Sequence, residues 1–264
     1  MVPPAKGFDL SKVDPASTHD APGDKAATEA VRVALTDQLC SLQGRLWAEG
    51  KRSLLVVLQA MDTGGKDGTI RHVFEGVNPL GVRVTAFKAP SEEERHHDFL
   101  WRVHPAAPAA GEIGIFNRSH YEDVLIVRVH GWVPESVWRA RYRAINDFER
   151  HLVEAGTTIV KLWLHISPEE QAKRLRARLD DPTKRWKFNP DDLEERKHWH
   201  DYMAAADEML RRTSSAEAPW YVVPADRKWY RNWVVTRILT ETLTVMDPQY
   251  PEPKDLGHYE IPEV

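Results

Sequence analysis

Cysteine is almost missing from this chain: its 264 residues contain one, Cys40. A single thiol excludes an internal disulfide framework and any cysteine-based zinc site. Long hydrophobic runs are missing too. The longest purely aliphatic stretch, Leu54 to Leu58, is far too short to span a bilayer. The segment from Met1 to Leu10 carries prolines and a lysine but no apolar centre, so it does not read as a secretory signal. Nor does one sign of charge dominate, since 36 Lys and Arg face 40 Asp and Glu, a formal net charge of −4. That balance argues against a general nucleic-acid binder. No internal repeat or low-complexity tract is evident. These absences leave a soluble, cytoplasmic globular protein with neither membrane nor nucleic acid as partner. The length and the 42% of hydrophobic residues suffice for a substantial core.

What is present alternates. Residues 1–23 lack periodicity and read as an extended or mobile arm. From Asp24 to Glu49, Val31, Leu35, Leu39, Leu42 and Leu46 recur every three or four residues, which predicts a helix capped by Asp24 and stopped at Gly50. Ser53 to Gln59 is a short aliphatic run that predicts a strand buried on both faces. Further strands are expected at Val82 to Phe87, Ile113 to Phe116, Thr158 to Ile166 and Trp220 to Val223. Helices are expected from about Lys66, at Ser91 to Val103, Glu135 to Glu154, from Pro168, at Asp191 to Arg212 and at Lys228 to Met246. Strands alternating with helices imply an α/β fold, a parallel sheet of about five strands covered on both faces. A single domain over 24–247 is expected, followed by a proline-rich tail at 248–264.

Chemistry concentrates first in Ala60-Met-Asp-Thr-Gly-Gly-Lys-Asp-Gly-Thr69, directly after the first strand and opening a helix. Glycines at 64, 65 and 68 permit a tight turn whose N–H groups, with the helix N-terminus, point at phosphate. Lys66 would neutralise the outer oxygens, and the context is that of a P-loop. Two departures stand out: Ala60 replaces the first glycine, and Asp67 stands where a Ser or Thr would meet Mg²⁺. Asp62 adds a carboxylate inside the loop. Thr63, Gly64, Gly65, Asp67, Gly68 and Thr69 are therefore candidate phosphate or nucleotide ligands. The blander alternative is an ordinary strand–turn–helix connection.

A second signal is Ile113-Gly-Ile-Phe-Asn-Arg-Ser-His-Tyr-Glu-Asp123. Ligands collect at the carboxyl ends of strands in doubly wound sheets. Asn117 can orient a phosphate but cannot neutralise a divalent ion, which shifts that task to Asp62. Arg118 suits a phosphate clamp, and Glu122 is a second candidate metal or nucleotide ligand. The alternative is a turn that caps the next helix. The third signal is Lys173 to Lys187, with seven basic and two acidic residues. Lys173 and Arg174 suit a solvated helix face, but Arg178, Lys184, Arg185 and Lys187 flank Asp180-Asp181-Pro182, which breaks the helix. A basic, hinged lid over about 173–196 is expected, of the kind that excludes water and supplies arginines to a transferring phosphoryl group. Lys88, Asp226, Lys228 and Arg231 follow strand ends and are weaker candidates. His96, His97 and His104 match no strong metal spacing and read as surface or structural groups.

Together these stretches, above all 61–91, 96–102, 114–130, 179–196 and 218–232, resemble the polyphosphate kinase 2 family. The resemblance implies a thymidylate-kinase-like P-loop kinase, a three-layer sandwich with a helical lid. It implies reversible phosphoryl transfer between inorganic polyphosphate and adenine or guanine nucleotides, with Mg²⁺, or Mn²⁺ in its place. The family's catalytic positions fall on Asp62, Lys66, Arg118 and Arg178, with Asp62 the metal ligand. Asn117 with Glu122 looks like the subgroup that phosphorylates both nucleoside mono- and diphosphates. A homo-oligomer, dimer or tetramer, is expected. An ATP-dependent nucleoside monophosphate kinase and a non-catalytic nucleotide-binding regulator are the alternatives, and transfer from polyphosphate separates all three.

Overall fold

The fold is described from a computed structural model covering residues 1–2, 7–253 and 261–262. Strand β1, Ser53–Gln59, is buried along its whole length. Parallel neighbours flank it on both sides: β3, Ile113–Asn117, and β4, Thr157–His165. The edges are β2, Val82–Ala86, and β5, Trp220–Pro224, giving the all-parallel order β2-β3-β1-β4-β5. Side chains alternate across the sheet, so the continuous aliphatic run of β1 feeds two cores. Leu54, Val56 and Leu58 join the first, while Leu55 and Val57 join the second.

Helices α1, Lys25–Glu49, α2, Lys66–Val73, and α9, Lys228–Met246, cover the first face. Asp24 caps α1 by accepting from the Ala27 amide at 2.9 Å, and Gly50 ends it in the left-handed region, φ 61°. The second face is covered by α5, Glu135–Glu154, and α8, Trp199–Thr213, with the short α4, Ile126–Val129, beside them. The result is a three-layer α/β sandwich. Above the carboxyl ends of the strands lie α6, Pro168–Asp180, and α7, Asp191–Lys197.

Three local expectations need correction. The helix expected over Ser91 to Val103 is only the single turn α3, Glu92–Arg95. Its capping box forms, with Ser91 and Glu94 bonding reciprocally. The chain then leaves the helix because Asp98 accepts from the Leu100 amide at 2.9 Å and His97 stacks on Trp101. The helix expected over Asp191 to Arg212 breaks at His198, where Glu195 is engaged by His130 and by Tyr202. Finally, the N-terminal arm is held down over its described residues. Leu10 is buried and donates to Asp207 at 2.9 Å, and the Pro15 carbonyl accepts from the Asp226 amide at 3.1 Å. The proline-rich tail falls partly outside the described residues.

The second core holds a buried ion pair. Lys161 of β4 donates to Glu149 of α5, to Tyr121 at 3.0 Å and to the Thr213 carbonyl at 2.6 Å. Burial lowers the Lys161 pKa while Glu149 raises it, and its partner carboxylate is held below its ordinary range by Lys161 against the opposing effect of burial. Removing one partner strands the other charge. Lys161→Met should therefore cost about 3–5 kcal/mol in urea denaturation, and Glu149→Gln added to it should recover part of that loss.

Candidate active site

The carboxyl end of β1 opens into a loop whose shape depends on two of its glycines. Gly65 has φ 105°, and a Cβ there would collide with the Arg231 guanidinium. A Cβ on Gly64 would lie 2.7 Å from the Met61 carbonyl oxygen. Both glycines thus let backbone and guanidinium close in on one point. Thr63, at φ 59°, carries the turn in the left-handed region. Lys66 folds back over the loop and donates to the Ala60 carbonyl at 3.0 Å. Thr69 donates to the Gly65 carbonyl at 3.0 Å, so this expected ligand braces the first turn of α2 from within.

The loop is held from α6. Arg174 donates to the carbonyls of Thr63 (3.2 Å) and Gly64 (2.9 Å) through one nitrogen, and to Ala225 through the other. Gln171 donates to the Asp62 carbonyl at 3.0 Å, and Arg196 of α7 holds Gln171 at 2.7 Å. Arg174 is buried, not part of a solvated helix face, and its guanidinium joins the loop to the segment after β5. It is the principal functional residue missed in the sequence. Gln171, Arg174, Leu175 and Arg178 follow an i, i+3, i+4, i+7 pattern, so helical spacing marks them as one inward face.

Two cavities meet at this loop. The larger, about 580 Å³, is walled by the loop together with Arg174, Arg178, Lys184, Lys187, Lys228 and Arg231, and reaches Lys88, Arg71 and His72. Burial, reinforced by Arg174, pulls the Arg231 pKa down to about 10. Burial lowers Lys66 and Lys228 in the same direction. Like charges crowd one another here, with Arg174 and Arg231 opposing the charge on Lys228 and Arg118 opposing that on Lys66, an arrangement that a polyanion relieves. The smaller cavity, about 220 Å³, has apolar walls from Met61, Leu125, Ile126 and Trp163, with Glu122, Glu195 and Tyr202 among its polar groups.

Asp62 and Arg118 line both cavities and pair with each other at 2.5 Å. Arg118 takes φ 61°, and its amide continues the sheet by donating to the Leu58 carbonyl at 3.1 Å. Asn117 donates to Asp67 at 2.8 Å, so the polar end of β3 is bonded to one of the two departures from the usual P-loop pattern. Glu122 lies on a 3-10 turn, His120–Val124, whose first amides are capped by Ser119. Burial raises the Glu122 pKa, opposed by Arg118 and Lys66.

Most expected site residues converge here; besides Thr69, which is spent on bracing α2, two more do not. Asp226 accepts from the Ser167 amide at 2.8 Å and so fastens the start of α6. Arg185 donates to the Leu179 carbonyl at 2.8 Å, bracing the lid turn from outside the larger cavity. In the lid itself, Arg178 faces the cavity and pairs with Asp192 at 3.1 Å. Among the described residues no cluster of three or more His, Cys, Asp or Glu could hold a metal by itself. The oxygen donors Asp62 and Glu122 nevertheless fit Mg²⁺, which is commonly held by one or two carboxylates and completed by substrate phosphates and water.

A parallel sheet, a Lys-bearing glycine loop at its central strand and an arginine-bearing helical lid define a P-loop kinase. The chain belongs to the polyphosphate kinase 2 family, whose sequence profile matches residues 23–251. It is 54% identical over 253 residues to an AMP/ADP-polyphosphate phosphotransferase of Meiothermus ruber, covering 96% of this chain and 95% of that one. It is 47% identical over 228 residues to an ADP-polyphosphate phosphotransferase of Rhodopseudomonas palustris, covering 82% and 79% respectively. The crystal structure of polyphosphate kinase 2 from Arthrobacter aurescens superposes with a TM-score of 0.92 at 48% identity, covering 98% of this chain and 92% of that one.

The Arg174 fork spans carbonyls that a single ammonium cannot reach together. Arg174→Lys should lower turnover by about 10- to 100-fold, as expected when a loop shifts by about an ångström. Steady-state kinetics beside a thermal melt checks this, the melt being expected to move far less than the rate.

Proposed function

We propose that the protein transfers the terminal phosphoryl group of inorganic polyphosphate to a nucleotide, taking AMP to ADP and ADP to ATP. The carrying observation is the junction of a large cationic cavity with a smaller, partly apolar one at Asp62 and Arg118. The polyphosphate chain suits the first, where the charge of several phosphates is matched. The nucleoside part of the acceptor suits the second. In the transfer, the acceptor's terminal phosphate oxygen forms a bond to the outermost phosphorus as that atom's bond to the bridging oxygen breaks. The shortened chain leaves with that oxygen.

Each residue then has a task. Loop amides and Lys66 hold the transferring group, and Arg118 and Arg178 approach it from the two sides of the cleft. Asp62, with Glu122, would hold Mg²⁺, or Mn²⁺ in its place, which supplies neutralisation of phosphate charge. Glu122 gives the acceptor side a carboxylate that can engage either a mono- or a diphosphate through that ion. Adenine and guanine nucleotides are the intended acceptors, with residues 24–247 as the catalytic unit and 173–196 as the lid. A homo-oligomer, dimer or tetramer, working in the cytoplasm completes the reading. No described helix is long and apolar enough to cross a membrane.

The decisive assay combines purified protein, Mg²⁺, polyphosphate and either AMP or ADP, with ATP formation as the readout. ATP should appear from both acceptors, and excess chelator should abolish it. Failure with AMP alone would overturn dual use but leave ADP phosphorylation standing. Lys66→Ala and Asp62→Asn should each reduce transfer by roughly 100-fold or more while remaining folded. Arg178→Lys should lower kcat more than it weakens nucleotide binding, because a point charge cannot reproduce a planar fork. Glu122→Gln should impair AMP phosphorylation more than ADP phosphorylation, measured as the ratio of the two kcat/KM values.

A further inference from the structure

Three consecutive carbonyls of the glycine loop are held from α6. Those of Thr63 and Gly64 accept from Arg174, and that of Asp62 accepts from Gln171 at 3.0 Å. In a planar trans peptide the N–H points opposite to its carbonyl. The Thr63 and Gly65 amides share peptides with the Asp62 and Gly64 carbonyls, so both are turned away from α6. Neither has an acceptor among the described residues.

Gln171 is itself held from α7. Arg196 donates to its side-chain oxygen at 2.7 Å and to the Pro168 carbonyl, in the first turn of α6, at 2.8 Å. A guanidinium accepts no hydrogen bond. The Gln171 amide therefore presents its oxygen to Arg196 and its nitrogen to Asp62. This buried side chain has one orientation, and α7 dictates it. One turn earlier on α7, Asp192 lines both cavities and pairs with Arg178.

We propose that Gln171 and Arg196 form a positioning relay, through which the seating of α7 over the cavities aligns the free amides of the glycine loop. A substrate that engages the Asp192 end of α7 is then registered at the loop by the Arg196 end. Neither Gln171 nor Arg196 lines a cavity, so both act through the loop. The inference rests on the transfer reading given above.

Gln171→Leu, Arg196→Met and the double variant form a cycle, read as ATP formation from ADP at saturating polyphosphate. Two further variants separate positioning from packing. Gln171→Glu keeps a partner for Arg196 but offers the Asp62 carbonyl no donor, whereas Arg196→Lys still donates to Gln171. Hydrogen–deuterium exchange over residues 60–68 is followed in the same proteins. Gln171→Leu, Gln171→Glu and Arg196→Met should each lower kcat about tenfold while KM for ADP moves less than about threefold. Loop exchange should quicken in all three while that of β1 stays unchanged. Arg196→Lys should keep kcat within about threefold of wild type, and the double variant should match Gln171→Leu within about twofold. Additive losses, a Gln171→Glu protein as fast as wild type, or unchanged loop exchange in Gln171→Leu and Arg196→Met each overturn the relay. Wild-type protein that makes no ATP overturns the transfer reading instead, and loop exchange then decides the relay alone.

Discussion

The site depends on like charges being held close together out of water. Lys66, Arg174 and Arg231 converge on one loop, and burial lowers the pKa of Lys66 and of Arg231. Nothing in a net charge of −4 foretells this, because a chain-wide total does not say which charges are buried together. Such an arrangement persists only where surrounding structure overdetermines it. Here the determinants are the Arg174 bonds to the Thr63, Gly64 and Ala225 carbonyls, Gly65, which yields space to Arg231, and the Asn232 side chain that accepts from Arg231 at 2.7 Å. The electrostatic strain is released by a ligand of high negative charge, which couples loop geometry to substrate chemistry.

The two cavities divide the work by character. The larger carries cations from α6 and the turn after it together with cations from α9. The smaller combines apolar walls from Met61, Leu125, Ile126 and Trp163 with a rim of carboxylates, among them Glu122, Asp192 and Glu195. Asp62 and Arg118 belong to both, and their mutual ion pair orients each against the other. The Asn117–Asp67 bond adds a further constraint, fixing the end of β3 to the first turn of α2.

Much of this was legible in the sequence because it is local. The aliphatic run of β1, the glycine loop, the cap at Asp24 and the stop at Gly50 depend on neighbours a few positions away. The polar end of β3 was legible for a similar reason, since Asn-Arg after an apolar strand can only face solvent or ligand. The break at His198 was not, because it depends on Glu195 being drawn to His130 and Tyr202 from other segments. Arg174 was hidden among the other basic residues of its helix, and only its place on the inward face with Gln171, Leu175 and Arg178 distinguishes it from Lys173 in the sequence. Asp226 and Arg185 have the right charge type and nearly the right place. They are occupied by backbone partners that spacing alone does not disclose.

The strand order also fixes where the fold is most durable. β1 is the middle strand, with a paired neighbour on either side and an aliphatic core above and below. Its amides can exchange with solvent only when the sheet itself opens, whereas β2 at the edge and the lid can loosen on their own. The phosphate loop grows directly out of this most protected strand. Loosening of the edge strand and of the helices above the sheet can therefore proceed while the glycine loop keeps its shape, so mobility at the rim is separated from rigidity at the centre.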